Sequence, residues 1–218
     1  MSTEAVAAAR GRLLNAAARR IPAASAASQA RALGLWDGKE VRFANEAQFG
    51  LLLDLGVFGP VGGHTPALER EARQSHEPEE ARVMAALAAA HFTLFRLGEA
   101  HPEGGVSAED LLRATALRLR DDLLQRPEFE GCAFAGRLMR LDGVEMTCGA
   151  AAPVTDEVIE ALLGRVVHVL PSPPALPPLT PLASEDAAAL RSAAAAPDFA
   201  ARVYRASLDQ GLLGKRPD

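Results

Sequence analysis

The chain has 218 residues, a formal net charge of -5 and 49% apolar residues, enough to build a core without disulfide staples. The acidic balance excludes a global electrostatic grip on nucleic acid or an anionic membrane, since both need clustered Lys and Arg. No run approaches the roughly 18 apolar residues of a membrane span, and Cys132 and Cys148 form neither a CxxC pair nor a disulfide framework, so a reducing, cytoplasmic setting is expected.

The first predicted element is a helix with Val6, Leu13, Leu14, Ala17 and Ile21 near one face and Arg10, Arg12, Arg19 and Arg20 on its solvated side. Its Arg, Ala and Ser content also resembles a transit peptide in composition, but the helical spacing favours a structural element. Ile21-Pro22 stops it, and Asp37-Gly38 signals a tight turn in an extended segment from Trp36 to Phe43. A helix capped by Asn45 follows, with Phe49, Leu52, Leu53 and Val57 expected inward. After a Gly-rich loop from Gly59 to Thr65, Thr65-Pro66 starts a short helix over Ala67 to Gln74, and Pro78 starts another through Leu87. Residues 1–90 therefore read as a helical region.

The period then changes from 3.6 to 2. Strands are expected at His91 to Leu97, Val106 to Leu112, Ala116 to Arg120, Cys132 to Leu141 and Val144 to Cys148, the last two joined by an Asp142-Gly143 turn. This spacing predicts a small antiparallel, barrel-like sheet of the SH3-like or OB-like class, with an open antiparallel sheet as the alternative. Thr155 caps a helix that completes a β module over residues 91–170. A Pro-rich linker over 171–183, containing a PxxP at Pro174 to Pro177, leads to a helical tail over 184–218. The fold class is α+β.

Between Phe43 and Val154 the matching pieces are Leu51 to Phe58, His64 to Arg70, Phe92 to Phe95, Asp110 to Leu112, Ala135 to Leu138 and Met146 to Gly149. On these the chain resembles a group of uncharacterised bacterial proteins, some of which carry a SEC-C metal motif elsewhere. The resemblance implies a helical segment ahead of a small β module and brings no activity with it. The four closely spaced Cys or His ligands of the SEC-C motif are absent, so no structural zinc is implied. Only Lys39 and Lys215 among 23 basic residues are lysines, a usage that fits a GC-rich bacterial genome.

Candidate chemistry is sparse. Gly56, Gly59, Gly62 and Gly63 match neither a P-loop nor a dinucleotide fingerprint. No two of His64, His76, His91, His101 and His168 stand at the i, i+4 spacing of a metal pair, and Asp121-Asp122 and Asp142 read as turn acids. Both cysteines fall in apolar strands, where a thiol behaves as a small hydrophobe. No catalytic residue, metal or cofactor is therefore implied.

The binding candidates are Asp54, His64, Arg70 and Arg137. They serve a leading reading of a noncatalytic interaction or regulatory module with a protein partner, and a homo-oligomer through the C-terminal helices. A second reading is nucleic-acid binding through a positive face joining Arg19, Arg20 and Arg137. It is weighed against a β segment with seven Arg and ten acids. A third is a small enzyme with a site at the Gly59 to Thr65 loop, flanked by Asp54 and Arg70.

Overall fold

The computed structural model describes residues 2–59, 65–74, 76–167 and 175–214. Five strands close a barrel in the order β1-β2-β3-β5-β4: β1 (His91–Ala100), β2 (Val106–Asp110), β3 (Thr115–Leu119), β4 (Ala133–Leu141) and β5 (Val144–Val154). Every junction is antiparallel except the short parallel contact of β3 with β5 at Leu119 and Glu145. Strand β1 pairs with both β2 and β4. The result is an OB-like barrel, one of the two classes expected, and closure removes the exposed edges that an open sheet would present.

Helices flank this barrel in the chain: α1 (Thr3–Ala18), α2 (Ala23–Leu33), α3 (Glu46–Phe58), α4 (Ala67–Ala72) and α5 (Pro78–Ala88) before it, and α6 (Asp156–Leu162), α7 (Ser184–Ala193) and α8 (Phe199–Asp209) after it. Phe95, Leu97, Val106, Leu119, Phe134 and Leu138 form one cluster on alternating strand positions inside the barrel. The outward positions of the same strands are buried too. Met139, Met146 and Cys148 pack with Val6, Leu13 and Leu87 of α1 and α5, and Leu94, Ala135 and Val154 pack with Ile159, Phe199 and Val203 of α6 and α8. A third cluster joins Leu33, Leu51, Leu55 and Tyr204 from α2, α3 and α8 to Ala150 and Ala152 of β5.

Several local expectations hold for the stated reasons. The Asn45 side chain accepts the Gln48 N–H at 3.0 Å and caps α3, and Pro78 opens α5. Asp142 and Gly143 both take positive φ, 51° and 82°, which matches a type I′ hairpin turn. Trp36 and Val41 form a single antiparallel bridge around the Asp37 turn, whose carboxylate accepts the Lys39 and Glu40 N–H groups.

Others are corrected. Strand β2 ends at Asp110, two residues early, because the Asp110 carboxylate accepts the N–H groups of Leu112 and Arg113 and turns the chain. Pro66 is the residue before α4 and not its first turn, and that helix stops at Ala72. Thr155 precedes α6, yet its hydroxyl makes no capping bond and is buried without a partner. Phe49 is 40% exposed and packs at a tilt against Phe43, itself 44% exposed, with ring centroids 5.1 Å apart; it does not enter the core.

The arginines of α1 and of the turn after it are not simply solvated. Arg10 donates to the Thr147 carbonyl at 2.7 Å, Arg12 pairs with Glu80 at 2.8 Å, and Arg20 pairs with Glu71. Residues 175–181 are not a free spacer either. Leu179 is buried and its N–H donates to the Gly131 carbonyl at 2.9 Å, while Thr180 is held by Asp156. Leu176 packs against the cluster of Phe95 and Phe134, and Leu179 against that of Leu94 and Val154, which anchors the segment to the barrel. Pro174 and the PxxP start lie outside the described residues, as do His64, His168 and residues 60–64 of the Gly-rich loop.

Candidate ligand groove and the buried Asp54 cluster

Asp54 sits on the face of α3 that meets the barrel wall, and its side chain is 2% exposed. Burying a carboxylate is expensive unless partners replace water. Two partners are present, one from β4 and one from α8. Arg137, on an outward position of β4, donates from Nε to Asp54 Oδ2 at 3.2 Å, and the Tyr204 hydroxyl of α8 donates to the same oxygen at 3.1 Å. Oδ1 is equally buried and has no partner.

The guanidinium carbon of Arg137 lies 4.8 Å from the Phe58 ring centroid and 5.7 Å from that of Phe92, so the cation meets two aromatic faces. Phe92 in turn meets Tyr204 edge-on at 5.3 Å. Burial pushes the Asp54 carboxyl above the usual carboxylate range, against the opposing pull of Arg137 and the Tyr204 hydrogen bond. Burial and the nearby Asp54 charge together push the Tyr204 hydroxyl well above its ordinary value.

Beside this cluster a groove of about 210 Å³ runs between α1, α3 and β5. Its walls include Gly11 and Leu14 of α1, Gly50 and Leu53 of α3, and Cys148 and Gly149 of β5, with Asp54 as the one carboxylate among the lining residues. The strand wall is shaped by a bulge: β5 takes four steps from Thr147 to Ala151 where β4 takes two from Leu138 to Gly136, and Gly149 adopts φ of 108°. Gly11 and Gly50 stand inside helices, where Gly is disfavoured. A Cβ placed on either, or on Gly149, meets nothing within 4 Å. Packing therefore does not require glycine at Gly11 or Gly50, where its effect is to keep the groove open, whereas the positive φ of Gly149 itself favours glycine.

Cys148 shares this groove, but burial chiefly, with a contribution from Asp54, pushes its thiol up to about 12, which keeps it protonated and a poor nucleophile. Burial also raises the Cys132 thiol, which packs against the carbonyl of Leu176.

Of the four sequence candidates, the structure brings Asp54 and Arg137 into direct contact, residues 83 positions apart. Arg70 is elsewhere, donating to the Arg20 carbonyl, and His64 lies outside the described residues. No motif or spacing in the sequence singles out Tyr204 or the helix glycines Gly11 and Gly50 as site residues. A glycine inside an otherwise apolar helical pattern is the signal that was available for the latter. Arg19, Arg20 and Arg137 do not share an exposed positive face, since Arg20 is bound to Glu71 and the Arg137 side chain is only 14% exposed. Arg96 of β1 pairs with Glu109 of β2 at 2.6 Å, and Arg118 of β3 pairs with Glu103 of the β1–β2 connection.

A second polar cluster lies at β1 and β2. Asp110 accepts the Thr93 hydroxyl at 2.6 Å and the Arg113 guanidinium at 3.0 Å, with His91 Nε2 at 3.6 Å. Burial works to raise the Asp110 carboxyl, but His91, Thr93 and the backbone and side chain of Arg113 outweigh it and hold the group well below the usual range. Glu145 moves the other way, raised chiefly by burial, with Oε2 unpartnered. Among the described residues no group of three or more His, Cys, Asp or Glu is placed to hold a metal ion, and no helix is long and apolar enough to cross a membrane.

The profile of a family of unknown function, DUF7986, matches residues 15–171. That span contains α2 through α6, the whole barrel, Asp54 and Arg137, and leaves out Gly11 and Tyr204. No curated protein and no solved structure matches the chain.

Proposed function

We propose that this chain, which belongs to the DUF7986 family of unknown function, is a noncatalytic interaction or regulatory module that works by holding a small ligand in the groove between α1, α3 and β5. The observation that carries the reading is the pair of helix-interior glycines, Gly11 and Gly50, whose missing side chains leave that groove open although nothing packed nearby demands glycine. Each costs helix stability, and retention of open space at that cost is what a binding site requires. A noncatalytic role is supported by the state of the reactive groups: the Cys148 thiol stays protonated, and Asp54 is clamped by Arg137 and Tyr204.

The partner of such a module is a protein, and the exposed Phe43–Phe49 pair is the surface that suits it, since aromatic side chains dominate interface energetics. Phe49 immediately precedes Gly50, so ligand and partner would act on the same helix. A second copy of the chain, if recruited through α8, would meet its outer face, because Phe199, Val203, Tyr204 and Leu208 are buried within the chain. A cytoplasmic setting is supported by two free, buried cysteines, and a bacterial source and kinship with SEC-C-related proteins by the arginine usage and the order of helical segment and β module.

The test is native mass spectrometry of the full chain, purified without denaturation, beside its Gly50→Leu variant, whose side chain fills the groove. A retained compound of defined mass in the parent and its loss in the variant are expected. Equal retention in both chains, or conversion of the compound by the protein, overturns the proposal.

A further inference from the structure

Resting on the groove as a ligand site, we infer that its ligand is a compact, uncharged molecule with an apolar body and one hydrogen-bond donor, of the alcohol or phenol class, whose donor meets Asp54 Oδ1. Three observations carry this. The first is the asymmetry of Asp54: Arg137 and Tyr204 both donate to Oδ2, and Oδ1 is buried with no partner. A buried acceptor left without a donor is costly, and a ligand that supplies one recovers that cost.

The second is charge. Asp54 and Arg137 form a pair of zero net charge, so there is no surplus negative charge to offset the desolvation of an ammonium group in a site whose other lining residues are all uncharged, Asn15 and Cys148 among Leu, Val, Phe, Ala and Gly. An anionic ligand would place like charge against Oδ1. A neutral donor suffers neither penalty. The third is size: about 210 Å³ is below the roughly 300–1,000 Å³ of sites for drug-sized molecules, which restricts the body to about one ring or a short branched chain.

Four probes of one shape separate these features: benzyl alcohol, toluene, benzylammonium and benzoate. Each is titrated into the ¹⁵N-labelled full chain, following the backbone amides of Gly11, Gly50 and Gly149, with Gly50→Leu as the blocked control. Benzyl alcohol is expected to shift all three amides and to bind about ten-fold more tightly than toluene, the scale of one recovered buried hydrogen bond. The charged probes are expected to be weaker than the alcohol, and all binding is expected to be lost in Gly50→Leu. Toluene binding as tightly as the alcohol, or benzylammonium binding best, overturns the ligand class and leaves the groove standing as a site. If no probe moves the three glycines, the groove itself fails as a site.

Discussion

Asp54 has two donors on one carboxylate oxygen and none on the other, so its environment is poised and not saturated. Removing Arg137 would strand the buried carboxylate. Arg137→Ala is expected to destabilise the protein by about 3–5 kcal/mol, the usual cost of breaking one side of a buried pair. Tyr204→Phe removes a single donor and is expected to cost about 1.5–3 kcal/mol. Urea unfolding of both variants checks the order. Asp110 allows a pH prediction of defined sign. Its folded-state carboxyl is held below the ordinary value, so its contribution is fully present above the unfolded value of about 3.9 and is lost as pH falls towards the folded one. The urea midpoint is expected to drop as pH is lowered from about 5, and Asp110→Asn is expected to flatten that drop while lowering stability at pH 7.

At the scale of elements, three glycines separate two different demands on the backbone. Gly11 and Gly50 lie in helices with open space where a side chain would stand, so Gly11→Ala and Gly50→Ala are each expected to raise stability by up to about 1 kcal/mol. Thermal melts should show both variants above the parent. Gly136 on β4 is the opposite case: a Cβ there would lie 2.6 Å from the Ala150 carbonyl oxygen, which is backbone and cannot swing aside. Gly136→Ala is expected to cost about 1–3 kcal/mol, the range for overpacking, by the same melts. The contrast matters because Ala150 belongs to the bulged stretch of β5 that walls the groove. One side of the groove is thus locked by close backbone approach, while the helix side is kept open.

For the whole molecule, the helices are not an appendage to the barrel. Outward side chains of β4 and β5 form common clusters with α1, α5, α6 and α8. Far-UV circular dichroism, dominated by helix, and fluorescence of the single Trp36 are therefore expected to report one coincident urea transition. Two separated transitions would show that the 1–90 region and the barrel fold apart. A chain ending at residue 183 lacks Phe199, Val203 and Tyr204, all buried, and is expected to lose cooperative unfolding and to aggregate through the exposed wall.

The class of fold was legible from periodicity alone, because strand alternation and helical spacing are local properties of the chain. Asn45, Pro78 and Asp142-Gly143 announced their roles for the same reason: caps and turns are settled by residues within a few positions. Asp54 and Arg137 could be picked as candidates by residue type, but not as partners. Their contact across 83 positions, with Tyr204 completing it from the far end of the chain, exists only once the barrel closes and α3 and α8 dock on its wall. The exposure of Phe49 and the anchoring of residues 175–181 were decided the same way. Sequence determined which segments could bury an apolar face; tertiary structure decided which faces met, because burial depends on the partner surface available and not on the residue alone.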